Sequence, residues 1–412
     1  MRGIPRLGYD RLLEAKLRLF PAVVLRGPRQ CGKSTLSRSL RSSQGGKRRV
    51  FDLERPSQLA RLRLAPEEDL GALQRVPGLI VIDEIQREPS LFPLLRALLD
   101  EPERRARYLL LGSAAPALVQ GAVQGASESL AGRAAVIDLT PFLAAEVATS
   151  GARFTRLWVR GGFPRSFLAR SEAASLEWRE AYMPALLERD IPALRPGLPV
   201  VTLTRLLTML AHLHGGLVNE SELAAGLGVT APTVGRYLDV LEGLFLLRRL
   251  PPYFANIGKR LTRAPRVYLR DSGLLHSLLA TSDVDALRGH PKVGASFEGF
   301  VIEQVLGALA LAGVNARPFF WRTHGGAEVD LLLDTGKTIV PIEVKLSGSP
   351  GVPRGLLECM KDLSCPQGFV LHGGEEEYSM GRGVRALPAR LVARPDRLCE
   401  ALRLPRRRPV RA

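Results

Sequence analysis

Cysteine is sparse. Cys31, Cys359, Cys365 and Cys399 are the four in 412 residues, and none shares a metal-ligand spacing with another. That excludes a disulfide framework and a zinc motif legible in sequence, and reduced thiols are expected. The six histidines are scattered, and His212 and His214, two apart, fall on different faces of any helix. Long apolar runs are missing as well. Val305 to Gly313 falls short of the roughly 20 residues that cross a bilayer. Arg2, Arg6, Asp10 and Arg11 break up any secretory core near the start. The expectations are a cytoplasmic protein with no membrane partner. Nor is the chain depleted of apolar residues, which make up 46% and leave no case for wholesale disorder. Its length allows roughly two to four domains.

Lysine is scarce and arginine abundant, and 58 basic against 41 acidic residues give a net charge of +17. Such a balance suggests a polyanionic partner, nucleic acid such as DNA, ahead of the alternative of an arginine-rich composition with no ligand behind it. The stretch Leu404 to Ala412 ends the chain as a basic tail.

The strongest local pattern is Gly27-Pro28-Arg29-Gln30-Cys31-Gly32-Lys33-Ser34-Thr35, which fits G-x-x-x-x-G-K-[ST]. It follows the apolar run Ala22 to Leu25 and precedes a segment able to continue as a helix. In that setting backbone N–H groups point at a phosphate beside a helix N-terminus. Lys33 would neutralise the outer phosphates of ATP, and Ser34 would ligate Mg²⁺. Gly78 to Ile82 is an unbroken apolar run that ends in two carboxylates, Asp83 and Glu84, as expected for a strand buried on both faces. Asp83 would hold the Mg²⁺ through water and Glu84 would act as general base on the attacking water.

Candidate strands Ala22–Leu25, Arg49–Leu53, Leu79–Asp83, Tyr108–Gly112 and Ala134–Leu139 alternate with helical segments, which predicts a parallel sheet with ligands at the carboxyl ends of its strands. Ser113 follows one such strand, and Arg133 immediately precedes another.

Gly-Pro-Arg-Gln-x-Gly-Lys-Ser, Val-Ile-Asp-Glu-Ile-Gln, Leu-x-Gly-Ser, Ser-Leu-Ala-Gly-Arg and Gly161-Gly162-Phe163-Pro164 occur here in that order. In this the chain resembles, over nearly its whole length, prokaryotic AAA-type ATPases whose C-terminal half is a domain of unknown function (the 4143 group) with a restriction-endonuclease-like core. The resemblance implies that Ser113 senses the γ-phosphate or the attacking water. It also implies that Arg133 reaches a neighbour's nucleotide as an arginine finger in a homo-oligomer.

Residues 206 to 250 read as a winged helix, with a helix Glu220–Leu227, a turn capped by Thr230 and a second helix Ala231–Leu241. Its exposed early positions, Thr230, Thr233, Arg236 and Tyr237, with Asp239 and Glu242 beyond them, make a poor reader of bases, so a structural or interdomain role is favoured. Further on, Ala327–Asp334 and Thr338–Lys345 read as a hairpin with a charged face. Asp330, Glu343 and Lys345 follow the D…E-x-K order of restriction-endonuclease-like folds, with Glu298 as an additional carboxylate and Glu303 less favoured. Asp330 and Glu343 could bind Mg²⁺ while Lys345 acts on water, or the same residues form a solvated face with an ion pair. Phe319 to Arg322 offers stacking, or simply core.

The expected fold class is α/β: a P-loop parallel-sheet core, then a winged helix and a mixed α/β restriction-endonuclease-like domain. The expected segments are residues 1–145, 146–265, 266–394 and a tail, 395–412. Two functions compete for the later segments, nucleic-acid processing and an inert module switched by ATP.

Overall fold

The computed structural model describes residues 4–40, 46–113, 130–194, 197–253 and 264–405. The chain divides into two compact units. One comprises residues up to Pro141 with a short segment, Asp239–Phe245, and the other holds the rest. The stretches 146–265 and 266–394, expected as separate modules, lie almost wholly in the second unit.

The first unit is built on a five-stranded sheet of β1 (Ala22–Gly27), β2 (Lys47–Asp52), β3 (Gly78–Asp83), β4 (Ala106–Ser113) and β5 (Ala134–Asp138), in the order β2-β3-β4-β1-β5. Every neighbouring pair is parallel. The central strands earn that position by their residues. Ile80, Val81 and Ile82 on β3 and Leu109, Leu110 and Leu111 on β4 are each at most 1% exposed, as strands covered on both faces require. The helix Leu91–Asp100 buries Leu91, Phe92, Leu95, Leu98 and Leu99, a stripe at helical spacing that packs into the core with Ile80, Ile82 and Leu110. Truncating a residue such as Leu110 to Ala would cost about 2–5 kcal/mol through lost transfer energy and the cavity left behind.

The second unit opens with helices. Gly161 sits in a left-handed conformation (φ 75°), and a Cβ there would lie 2.1 Å from Asp271 Oδ1. The closeness is used, because Asp271 accepts a hydrogen bond from the Gly162 backbone at 2.8 Å and from Leu274 at 2.9 Å. Pro164 then starts a short helix, Pro164–Phe167, over a buried Phe163. The Gly-Gly-Phe-Pro motif is thus a packing device. The helices Glu220–Leu227 and Ala231–Gly243 flank a turn at Gly228, and Asn219, not predicted as a cap, accepts hydrogen bonds from Ser221 and Glu222. Strands β6 (Leu247–Leu250) and β7 (Arg266–Leu269) pair antiparallel. Tyr237, expected on the exposed face, is buried, as are its helix neighbours Val234, Leu238 and Leu241, so the ring belongs to the apolar side of the helix. Thr230 and Thr233 share a hydrogen bond, and Arg236 donates to Thr233 at 3.0 Å.

The remainder forms a mixed six-stranded sheet of β8 (Arg317–Arg322), β9 (Glu328–Asp334), β10 (Ile339–Lys345), β11 (Gly368–His372), β12 (Tyr378–Gly381) and β13 (Val384–Pro388), ordered β12-β13-β11-β10-β9-β8. β9 and β10 are the predicted hairpin, with Asp334 opposite Ile339. Most of the run Val305 to Gly313, as far as Leu311, proves to be the end of a longer helix, Val293–Leu311, whose length and mean hydropathy of 1.3 would suffice to cross a bilayer, although 67% of its apolar window is buried inside the fold. Sequence hides its length because Glu298 and Glu303 interrupt it. Glu303 is held by Arg248 and by Arg270 (3.0 Å), which together outweigh burial and draw its carboxyl down to about 2. Residues Pro395–Ala401, assigned to the tail, form a helix with Leu398 and Cys399 buried, while residues 406–412 lie outside the described residues.

Candidate functional site

The carboxyl edge of the first sheet gathers the predicted nucleotide residues. Gly27 ends β1 opposite Ser113 at the end of β4, and Asp83 ends β3 beside them. Between β1 and the helix Lys33–Ser39, residues Gly27 to Gly32 turn sharply. Gln30 (φ 61°) and Gly32 (φ 103°) both adopt left-handed backbone, the second without steric cost because it lacks a Cβ. Pro28 and Arg29 complete the turn, with Arg29 4.0 Å from Glu54. Cys31 is fully buried, its thiol pushed up by that burial, and Thr35 is exposed. Behind the loop Arg6, which no motif flags, donates to the carbonyls of Cys31 (3.2 Å), Thr140 (2.8 Å) and Pro141 (3.1 Å).

Lys33 is buried, and its Nζ donates to the carbonyls of Gly27 and Pro28, each at 3.0 Å. Ser34 Oγ donates to Asp83 Oδ2 at 2.6 Å. Burial raises the Asp83 carboxyl and nearby Glu84 adds to this, against the Ser34 hydrogen bond and the Lys33 charge. Glu84 itself sits in a left-handed conformation, φ 57° and ψ 45°, which swings it off the strand line. Its Oε2 accepts from Ser113 Oγ at 3.2 Å and from the Gln86 amide, whose Nε2 also donates to Ser113 Oγ at 2.7 Å. The other end of that amide, Oε1, is buried with no hydrogen-bond partner. Gln86 closes the Val-Ile-Asp-Glu-Ile-Gln stretch, so its signal was visible, but only the fold brings it to Glu84 and Ser113.

Arg133 stands just before β5, at the opposite edge of the sheet from Gly27, and forms a bidentate pair with Asp100 at 2.6 and 2.7 Å. Glu128 and Ser129, which lead into it, lie outside the described residues.

In the second unit Glu298, Asp330, Glu343 and Lys345 do converge, but not on an open face. Asp330 is 4% and Glu343 5% exposed, since β9 and β10 are buried on both sides. Arg266, at the start of β7, enters among them. Its Nη1 lies 3.1 Å from Asp330 Oδ1 and 3.4 Å from Glu298 Oε1, and its Nη2 lies 2.6 Å from Glu328 Oε2. Tyr268 donates to Glu298 Oε1 at 2.5 Å, Val344 N donates to Asp330 Oδ2 at 3.0 Å, and Lys345 donates to Glu343 Oε1 at 2.7 Å. Burial and the Asp330 charge raise the carboxyls of both Glu298 and Glu343. A divalent cation between Asp330 and Glu298 would have to share its place with a guanidinium, so this donor set does not fit one. Among the described residues no group of three or more His, Cys, Asp or Glu could hold a metal ion. Phe320 and Trp321 are buried core, not a stacking platform, because both faces of β8 are covered there.

Residues 19–148 match the family described as AAA domain, residues 151–285 the Domain of unknown function (DUF8612), and residues 293–392 the Domain of unknown function (DUF4143). "Uncharacterized protein Rv2008c" of Mycobacterium tuberculosis is 42% identical over 392 residues, 95% of this chain and 85% of the relative, and "Uncharacterized protein Mb2031c" of Mycobacterium bovis gives the same figures. Among solved structures, the Walker-type ATPase PABY2304 of Pyrococcus abyssi is similar at 14% identity and a TM-score of 0.48, over 68% of this chain and 98% of that one. The ORC2 protein of Aeropyrum pernix in its ADP form is similar at 17% identity and a TM-score of 0.33, over 58% and 85%.

Proposed function

The chain belongs to the family that carries an AAA domain ahead of the domain of unknown function DUF4143, and on that premise we propose that its first unit binds ATP with Mg²⁺ and hydrolyses it. The observation that carries this reading is the Ser34–Asp83 hydrogen bond beside Lys33. A hydroxyl and a carboxylate are the hard oxygen donors that Mg²⁺ prefers, and they meet at the carboxyl edge of a parallel sheet. Ser34 and Asp83 would hold the ion in exchange for the bond between them. When bound, it neutralises charge on the β- and γ-phosphates. Lys33 turns from its two carbonyls to the outer phosphates. Glu84 takes a proton from the attacking water. The water oxygen bonds to the γ-phosphorus as the bridging P–O bond breaks, and the electron pair leaves on ADP. Ser113 and Gln86 hold the Glu84 carboxylate, and Gln86 Oε1, buried without a partner, is an acceptor for the second hydrogen of that water. Arg133 leaves Asp100 and serves the nucleotide of a neighbouring subunit, so the working form is a homo-oligomer.

For the second unit, the reading of an ATP-switched binding or assembly module is preferred to DNA cleavage, because Arg266 stands among the carboxylates that cleavage would need. The net charge of +17 keeps DNA among the candidate ligands.

The test is retention of labelled ATP and phosphate release, with and without DNA, in the wild type and in Lys33→Ala. Folded wild-type protein that retains no nucleotide rejects the ATPase reading. Mg²⁺-dependent plasmid cleavage that disappears in Asp330→Ala restores the nuclease reading.

A further inference from the structure

We infer that Arg266 is the resident cation of the carboxylate cluster on β9 and β10, its guanidinium neutralising carboxylates that would otherwise call for a divalent metal. The inference rests on the module reading of the second unit and is independent of the ATPase reading.

The geometry is specific. Arg266 is 4% exposed, and its guanidinium lies 5.3 Å from the centre of the Phe320 ring. Its two terminal nitrogens divide three carboxylates drawn from two elements, Glu298 on the helix Val293–Leu311 and Glu328 and Asp330 on β9. Oxygens that a metal would need are already engaged. Asp330 uses one on Arg266 and the other on Val344 N, and Glu298 Oε1 takes Tyr268 and Arg266 together. Burial works against the Arg266 charge, but the Tyr268 oxygen and the carboxylates of Glu298, Asp330 and Glu328 outweigh it. An arginine does not lose its proton in such a place, so it cannot step aside as a lysine can.

Divalent cations bind oxygen at about 2.0–2.6 Å and demand several such contacts. A fixed positive charge 3.1 Å from Asp330 Oδ1 leaves no room for that shell and repels the ion. One residue therefore both joins the helix to the sheet and closes the cluster to metal. Removing it would leave buried carboxylates in want of a cation. Glu343 Oε2, buried and without a hydrogen-bond partner, would be available as a further ligand. As it stands the cluster forms no metal-holding group, and loss of Arg266 is the one substitution expected to open it.

The probe is Mn²⁺ alone, titrated calorimetrically into full-length, nucleotide-free protein in an Asp83→Ala background, which removes the carboxylate proposed to hold metal in the first unit. With Arg266 present, no uptake is expected. Arg266→Ala is expected to take up Mn²⁺ stoichiometrically, and adding Asp330→Ala should abolish that uptake. Uptake with Arg266 present that vanishes on Asp330→Ala overturns the inference, as does a folded Arg266→Ala protein that binds nothing. If Arg266→Ala is poorly folded, its thermal midpoint with and without Mn²⁺ decides. The metal should raise the midpoint there and not in the parent or in the Asp330→Ala double variant, and a midpoint that does not respond overturns the inference. Loss of nucleotide binding in the wild type would count against the ATPase reading and leave this result untouched.

Discussion

Asp83 and Asp330 both lie on strands of buried sheets, yet their surroundings differ in kind. Asp83 meets a neutral hydroxyl, with a lysine nearby that rests on backbone carbonyls. Asp330 meets a guanidinium and a backbone amide, both directly. The first arrangement holds polar groups in exchangeable bonds, and a ligand that offers charge can replace them. The second has already spent its charge internally. Two acidic clusters with similar residue content are therefore suited to different tasks, and the cation each one keeps decides which.

The sharpest break in this comparison is Glu84→Gln. It should retain labelled ATP while phosphate release falls by about 10²–10⁴-fold, the range for loss of a general base. Equal release by the variant and the wild type would remove Glu84 from the mechanism. Next comes stability. Arg266→Ala should lower the free energy of unfolding by about 3–5 kcal/mol, because it strands buried carboxylates. Ser34→Ala, which deletes a partly buried neutral donor, should lower it by about 1 kcal/mol. Denaturant titrations that give equal losses would erase the contrast.

That contrast was only half legible in sequence. The parallel sheet could be read because β3 and β4 are unbroken apolar runs and because the loop between β1 and its helix has a fixed spacing. The candidate carboxylates could be read from their order in a hairpin. Arg266 could not, since it lies 64 residues before Asp330 in an ordinary stretch, Ala-Pro-Arg-Val-Tyr-Leu, and acquires its role only when β7 meets the sheet. Gln86 stands in the Val-Ile-Asp-Glu-Ile-Gln stretch, but its partners Glu84 and Ser113 are set by the fold, with Glu84 in left-handed backbone. Arg6 bonds carbonyls 25 to 135 residues away, a relation that no local pattern encodes.

Acid should also separate the two units. All six histidines belong to the second. Burial, reinforced by neighbouring His276, lowers His214 to about 3, and burial lowers His276 to about 4. Both stay neutral in the fold and protonate more readily when it opens. Their contribution is complete above about pH 6.5 and is lost as pH falls toward those values. Between about pH 7.5 and 5 each should cost about 2 kcal/mol. Chemical unfolding followed by tryptophan fluorescence, to which Trp158 contributes from beside the Ser296 Oγ that His276 also contacts, reads this. A signal flat across that interval would contradict it.

Smaller still, Gln86→Ala should reduce turnover about 10–100-fold, the scale of a mispositioned reacting group, with nucleotide affinity unchanged. A fall in affinity alone would recast the residue as part of the binding pocket. The least stability change is expected from Arg133→Ala, whose pair with Asp100 is solvent-exposed. Its effect should appear only in turnover by the assembled protein. Mixing it with Glu84→Gln subunits should restore part of the activity if the site is shared, and a protein that runs as a monomer with no such rescue would end that idea.

The resting place of Lys33 has a consequence for how a triphosphate enters. Its ammonium is parked on two amide oxygens of its own turn, so an arriving anion has no carboxylate rival to evict. Entry would then trade weak dipolar contacts for full ionic ones.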